Sequence, residues 1–265
     1  MARSSGQRLL AHDRRLGVRY VAGADEAGRG SLAGPLVVAG VLLDYELLQG
    51  ARVRRLGALN DSKQVPPAER ESLFHAVVGS ASGISLRIVP VGEIDRSGLH
   101  RSNLAALRAV LHDLHPPADV CLVDGFRLGA SAPPHQAIVD GDARSAAIAA
   151  ASIVAKVVRD RVMRRLDALY PRYGFVSHVG YITPGHSSAV RAFGPSSLHR
   201  RSFQAACYEG RPGETGTVPA GSAARRDAAS SVAPIRPVWA LPASSFRSDR
   251  RMPTDEAGCA PPSAA

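Results

Sequence analysis

The sequence predicts an α/β layered domain with a mixed sheet. Three observations carry that reading. An apolar hairpin opens the body of the chain, Val18–Ala24 and Pro35–Leu43 joined by a Gly-rich connection. Strand-like and helix-like segments then alternate as far as the Ala-rich stretch Arg144–Leu169. Finally, acidic residues stand where strands end: Asp25-Glu26 after the first and Asp124 after DVCLV.

Taken in order, residues 1–17 read as a polar lead-in with a short helix, and Leu59-Asn60-Asp61-Ser62-Lys63 as a polar loop. Pro66–Val78 is a helix, because Leu73, Phe74, Val77 and Val78 recur at helical spacing and the prolines suit its first turn. Ile84–Val89 alternates as a strand does. Val91–Gly98 is a loop or short helix, and Ser102–Leu114 an amphipathic helix. Asp119–Val123 and Ala137–Val139 are short strands, and Arg144–Leu169 is the longest helix. Beyond Pro171 the chain is loop-rich, with one helix near His186–Phe193. Residues 209–265 hold 8 of the 19 prolines and only 8 Val, Ile, Leu, Phe, Met or Trp. That is too little apolar surface to bury, so a disordered tail is expected, after a folded body over 18–208.

The chain of 265 residues carries a net charge of +10. The tail has 7 Arg against 6 Asp and Glu, so the positive field belongs to the folded part and suits a polyanionic partner. Only two of the 33 basic residues are lysines, Lys63 and Lys156, which sets both apart from a general preference for Arg. Three widely spaced cysteines fit neither a disulfide framework nor a zinc site. The apolar run Ser145–Ala155 is too short to cross a membrane, and the polar N-terminus lacks a signal peptide's apolar segment. A cytoplasmic monomer with no membrane partner is expected.

Two adjacent carboxylates beside an apolar hairpin are costly unless a cation sits there. Asp25, Glu26, Asp124 and Asp142 have no His or Cys at ligand spacing, so an all-oxygen site for Mg²⁺ or Mn²⁺ is indicated. Carboxylates gathered at strand ends suit two-metal phosphodiester hydrolysis, with ions ~3.5–4 Å apart. Adjacent strand residues face opposite ways, so Asp25 and Glu26 converge only if the strand has ended or bulged, or if Glu26 acts partly through its backbone. Taken alone, Asp142 reads as the N-cap of the long helix. Gly28-Arg29-Gly30 permits close backbone approach to a ligand or is a plain tight turn. Asn60, Ser62 and Lys63 offer groups for a phosphate. Lys156 either faces a phosphate or pairs with Asp160 at i+4. Tyr181 is a stacking ring or a core edge, and His178 and His186 are too isolated to be ligands.

The stretches GADEAGRGSLAGPLVVAGV, LNDSKQV, LVDG, GDARSAAIAAASIVAKVVRD and HVGYITPGH occur in this order over residues 18–205. Together they resemble the type 2 ribonucleases H, the ribonuclease HII family. The resemblance implies an RNase H-like mixed sheet flanked by helices, with a helical C-terminal extension. It implies cleavage of RNA in RNA–DNA hybrids and at single ribonucleotides embedded in duplex DNA. Asp25, Glu26, Asp124 and Asp142 are then the acidic active-site residues, the first three the firmest metal ligands. Gly28, Arg29 and Gly30 contact the ribose 2′-OH, and Tyr181 stacks on the next sugar. Asn60, Ser62 and Lys63 hold backbone phosphates. The related type 3 enzymes carry an extra N-terminal domain, for which the 17 residues before Val18 leave no room. The competing readings are a catalytically silent nucleic-acid binder and a metal nuclease acting on plain DNA.

Overall fold

A computed structural model describes residues 4–208; the stretch 209–265, expected to be disordered, lies outside the described residues. The sheet has five strands: β1 Tyr20–Ala27, β2 Leu36–Asp44, β3 Gly83–Val89, β4 Val120–Asp124 and β5 His135–Ile138. Their order is β3-β2-β1-β4-β5, so β1 is central. β1 and β3 run antiparallel to β2, whereas β4 runs parallel to β1 and β5 parallel to β4. The sheet is mixed, as the sequence predicts.

Alternation along β1 and β2 divides the core into two layers. Val21 and Ala27, with Ala39, Val41 and Leu43, pack beneath α6, Ala146–Leu169. Ala22 and Ala24, with Leu36, Val38 and Leu42, pack on α5, Leu99–His112. The Ala-rich start of α6 has a steric cause. A Cβ at Gly23 would stand 2.0 Å from the Ala147 carbonyl carbon, so small residues on both sides let the helix backbone lie directly on β1. α3, Pro67–Val78, completes the α6 layer through Leu73 and Val77.

The N-terminal stretch does more than lead in. Ser4 and Gln7 form a capping box on α1, Ser5–Arg14, and Leu9 and Leu10 join the core under α6. Buried Asp13 accepts hydrogen bonds from Tyr45 Oη (2.9 Å), Ser145 Oγ (3.0 Å) and the Ala147 amide (3.0 Å). Burial raises its pKa, against the pull of those bonds. Ser145 is the N-cap of α6, its hydroxyl accepting from the Ile148 amide. Asp142 therefore does not cap the helix; it sits one turn earlier, in the 3₁₀ turn Gly141–Ala143.

Two further differences stand out. α2, Ala51–Arg55, is too short to give a periodic signal. The C-terminal part holds more helix than expected, with α7 Phe175–His178 before α8 Pro184–Phe193. The short helix α4 is Val91–Ser97. Among the described residues no helix is long and apolar enough to cross a membrane.

Candidate active site

β1 does not end at Ala24. Its ladder with β2 continues without a bulge through Asp25↔Ala39 and Glu26↔Val38 to Ala27↔Val37. The two carboxylates therefore leave opposite faces of one strand. Asp25 faces α6, where Ser152 supplies a hydroxyl. Glu26 faces α5, toward the fully buried Asn103. The parallel β1–β4 ladder ends at Ala24↔Val123, which brings Asp124 level with Asp25 on the α6 face. Asp124 Oδ1 accepts from the Gly141 amide at 2.8 Å, which ties the strand end to the turn carrying Asp142.

These acids strain against each other. Burial raises the pKa of Asp25 well above the carboxylate range, and the charges of Glu26 and Asp124 push the same way. Burial also raises Glu26. Asp142 is raised to about 6, by burial first and then by Asp61 and Asp124. Lys63 is the countercharge: burial lowers it, but Asp142, Asp61, Asp25 and Asp124 together outweigh that and leave it raised.

A cavity of about 580 Å³ opens over the ends of β1 and β4. Asp25, Glu26, Asp124, Gly28, Arg29, Gly30, Ser62, Lys63 and Tyr181 all line it. Asn60 and Asp142 are not among the lining residues. Asn60 turns its amide toward Gln64 at 3.4 Å. Asp142 is buried beside Asp61, Asp124 and Lys63. Ser62 is less free than a phosphate ligand needs to be, since its hydroxyl is bonded to Ser152 Oγ at 2.8 Å. Lys156 lines the cavity and pairs with Asp160 at 2.6 Å. Asp160 also meets Arg70, which donates to the Ser62 and Val65 carbonyls and so pins the Lys63 loop to α6.

Two buried guanidiniums hold the glycine turn. Arg159 donates to the carbonyls of Pro35 (3.0 Å), Ala33 (3.1 Å) and Val179 (2.8 Å). Arg200 donates to those of Gly34 (3.0 Å) and Arg29 (3.0 Å). Arg159 thus joins the turn to the loop of Tyr181, whose ring lies 5.4 Å from both the Arg159 guanidinium and Lys156 Nζ. Arg29 turns its own guanidinium onto Phe126, 4.6 Å from the ring centre. Gly30 differs from Gly28: a Cβ there would meet nothing within 4 Å, leaving backbone open to a ligand.

Among the described residues no three His, Cys, Asp or Glu stand together as a ready metal cage. The regular strand explains this, since it sends Asp25 and Glu26 apart. The donor set nevertheless fits a hard divalent ion. All the acids are oxygen donors, their like charges are crowded, and Glu26 Oε2 is buried without a hydrogen-bond partner.

A family model described as Ribonuclease HII matches residues 22–206. The chain belongs to the ribonuclease HII family. A ribonuclease HII of Geobacillus kaustophilus is 43% identical over 200 residues, covering 74% of each chain. One from Sinorhizobium fredii is 46% identical over 185 residues, 69% of this chain and 77% of its own. The crystal structure of ribonuclease H2 from Pyrococcus horikoshii matches with a TM-score of 0.60 at 27% identity, over 71% of this chain and 95% of that one. As a ribonuclease HII the protein is an endoribonuclease, a hydrolase acting on RNA–DNA hybrids.

Sequence reasoning passed over several residues around this ribonuclease HII cavity: Ser152, Arg159, Phe126, Asn103 and Arg200. Ser152, Lys156 and Arg159 stand at i, i+4 and i+7 on α6, so the helical period offered a signal for the first two omissions. Phe126, Asn103 and Arg200 gave none, because their roles depend on contacts distant in sequence.

Proposed function

We propose that this ribonuclease HII hydrolyses the phosphodiester on the 5′ side of a ribonucleotide, including one embedded in duplex DNA. The products carry 5′-phosphate and 3′-OH ends. The observation that carries the proposal is the cavity itself. It joins three mutually repelling carboxylates to an open glycine backbone and an aromatic ring along one lining.

Asp25, Glu26 and Asp124 would hold the divalent ions, Mn²⁺ or Mg²⁺, with Asp142 behind them. When bound, such ions activate water and neutralise the leaving oxygen. The chain's own residues do the rest. The backbone at Gly28-Arg29-Gly30, kept still by Arg159 and Arg200, reads the 2′-OH. Lys63, with the loop of Asn60 and Ser62, meets the phosphates, the ammonium contributing most because the Ser62 hydroxyl is already engaged. Tyr181 stacks on the following sugar. Specificity then rests on sugar chemistry and hybrid shape, and no residue in the cavity is required to read a base. The enzyme acts as a monomer on this reading.

The test is a cleavage assay on three duplexes of one sequence: with a single ribonucleotide, with a full RNA strand, and all DNA, each with Mg²⁺ or Mn²⁺. The first two should be cut and the third left whole. Cutting of the all-DNA duplex would reject the 2′-OH reading.

A further inference from the structure

Three histidines stand behind the Tyr181 loop with no task in the chemistry above. His186 and His199 are fully buried, and His178 is half-buried. The His178 and His186 rings stack with centres 4.2 Å apart.

Their partners fix their tautomers. A carbonyl only accepts, and His186 Nδ1 lies 2.9 Å from the Tyr181 oxygen, so that nitrogen carries the proton. A backbone amide only donates, and the Ser196 amide lies 3.0 Å from His199 Nδ1, so that nitrogen is bare and Nε2 carries the proton. The two Nε2 atoms face each other at 3.1 Å. The bare Nε2 of His186 thus accepts from the protonated Nε2 of His199. Both rings are neutral and all four nitrogens are satisfied. A relay runs from Ser196 through His199 and His186 to the Tyr181 carbonyl. His178 braces the same loop, accepting from the Gly180 amide at 3.2 Å and donating to the Tyr173 carbonyl at 2.9 Å.

We propose that His186 and His199 are positioning residues that hold Tyr181 in its substrate-reading place through this neutral relay, and that a proton entering the pair releases it. The proposal rests on the reading of Tyr181 as the sugar-stacking residue. A protonated His186 would set N–H against N–H at the 3.1 Å contact. A protonated His199 would set Nδ1–H against the Ser196 amide at 3.0 Å, and the Ser196 hydroxyl at 2.9 Å would have to turn to accept it. The titratable groups facing the pair are His178, Arg201, Tyr173 and Tyr208, and none of them is a carboxylate. Burial, against the Tyr181 bond and with His178, holds His186 below its ordinary value, and burial with His186, Arg201 and His178 holds His199 at about 4. The relay is therefore closed at neutral pH and opens on acidification.

The readout is a preference: kcat/KM on duplex DNA with one ribonucleotide divided by kcat/KM on a full RNA–DNA hybrid. Only the first substrate offers Tyr181 a deoxyribose beside the cut, and changes in water activation cancel in the ratio. His186→Phe keeps a ring but loses the donor, and should lower the ratio by about tenfold near pH 8, the scale of one buried hydrogen bond. His186→Asn returns an N–H near Nδ1 and should restore the ratio to within about threefold. Acidification toward pH 4 should lower the ratio in the wild-type protein and lower it less in His186→Asn, which leaves only His199 to take up the proton. A folded His186→Phe variant with the wild-type ratio would overturn the relay. So would a His186→Asn variant that follows the wild-type pH course, and that comparison decides the matter if His186→Phe does not fold. Tyr181→Ala separates the two layers. If it keeps the wild-type ratio, the Tyr181 assignment falls and the relay's role with it. If it loses the ratio while His186→Phe keeps it, the relay alone falls.

Discussion

Gly28 and Arg159 compete for one space: a Cβ on Gly28 would stand 1.8 Å from Arg159 Nε. The glycine also holds φ +89, a backbone region that side chains rarely adopt. The guanidinium that anchors the turn is thus the same group that excludes any side chain from it.

Gly28→Ala should therefore lose both stability, by roughly 1–3 kcal/mol, and cleavage. Gly30→Ala is the contrast, since its Cβ would project into open space. That variant should keep its unfolding midpoint and lose cleavage efficiency, because the methyl stands where substrate must approach. Urea unfolding beside single-ribonucleotide cleavage checks both. Equal destabilisation by the two substitutions would show that the turn is only a structural element.

The crowded carboxylates predict a trade between stability and activity. Asp25→Asn removes a buried charge repelled by Glu26 and Asp124. It should abolish cleavage yet raise stability in the presence of a chelator, by about 1–2 kcal/mol. Thermal melts with and without metal measure this, and a lower midpoint in chelator would contradict it. Asp124→Asn should likewise end cleavage while leaving substrate binding largely intact.

Stability should also report the buried histidines. The folded pKa of His199, about 4, is below its unfolded value of 6.5. The unfolded chain then binds the proton more readily, so this stabilisation is complete above pH 6.5 and drains away as pH falls toward 4. The slope from one such group is at most about 1.4 kcal/mol per pH unit. Asp142 acts in the opposite sense, because its folded pKa is raised from 3.8 to about 6 and acidification favours the folded form. The informative quantity is the difference between wild type and His199→Gln in urea midpoints across this range. It should shrink as pH falls, and a constant difference would reject a neutral buried His199.

Truncation after Tyr208 should leave cleavage nearly unchanged, because among the described residues those lining the cavity all lie between Asp25 and Tyr181. Tyr208 itself should be retained, since its hydroxyl reaches the Arg200 carbonyl at 3.3 Å, next to the turn's anchor. Activity of the 1–208 chain on the embedded ribonucleotide is the measurement, and a large loss would assign the tail a part in the reaction.

Much of this was legible in the residues. The apolar runs marked β1 and β2, the alanine run marked α6, and carboxylates beside apolar strands marked the site, because apolar patterning and charge burial are local properties. The strand boundary was not legible. Asp25 and Glu26 look like an ending, but pairing with Ala39 and Val38 carries the ladder through them. Asp142 has the form of an N-cap, yet Ser145 and the distant Asp13 take the amides of α6.

By itself the sequence determined which chemical groups this protein has to work with: acids for a cation, glycines for a close backbone, two lysines among many arginines. Only the tertiary structure decided where they act. The parallel pairing of β1 with β4 sets Asp124 level with Asp25, the opposite face of the same strand turns Glu26 toward Asn103, and burial commits Arg159 and Arg200 to backbone carbonyls instead of to substrate. These outcomes depend on which distant segments share a face, and a local period of two or 3.6 residues does not encode that.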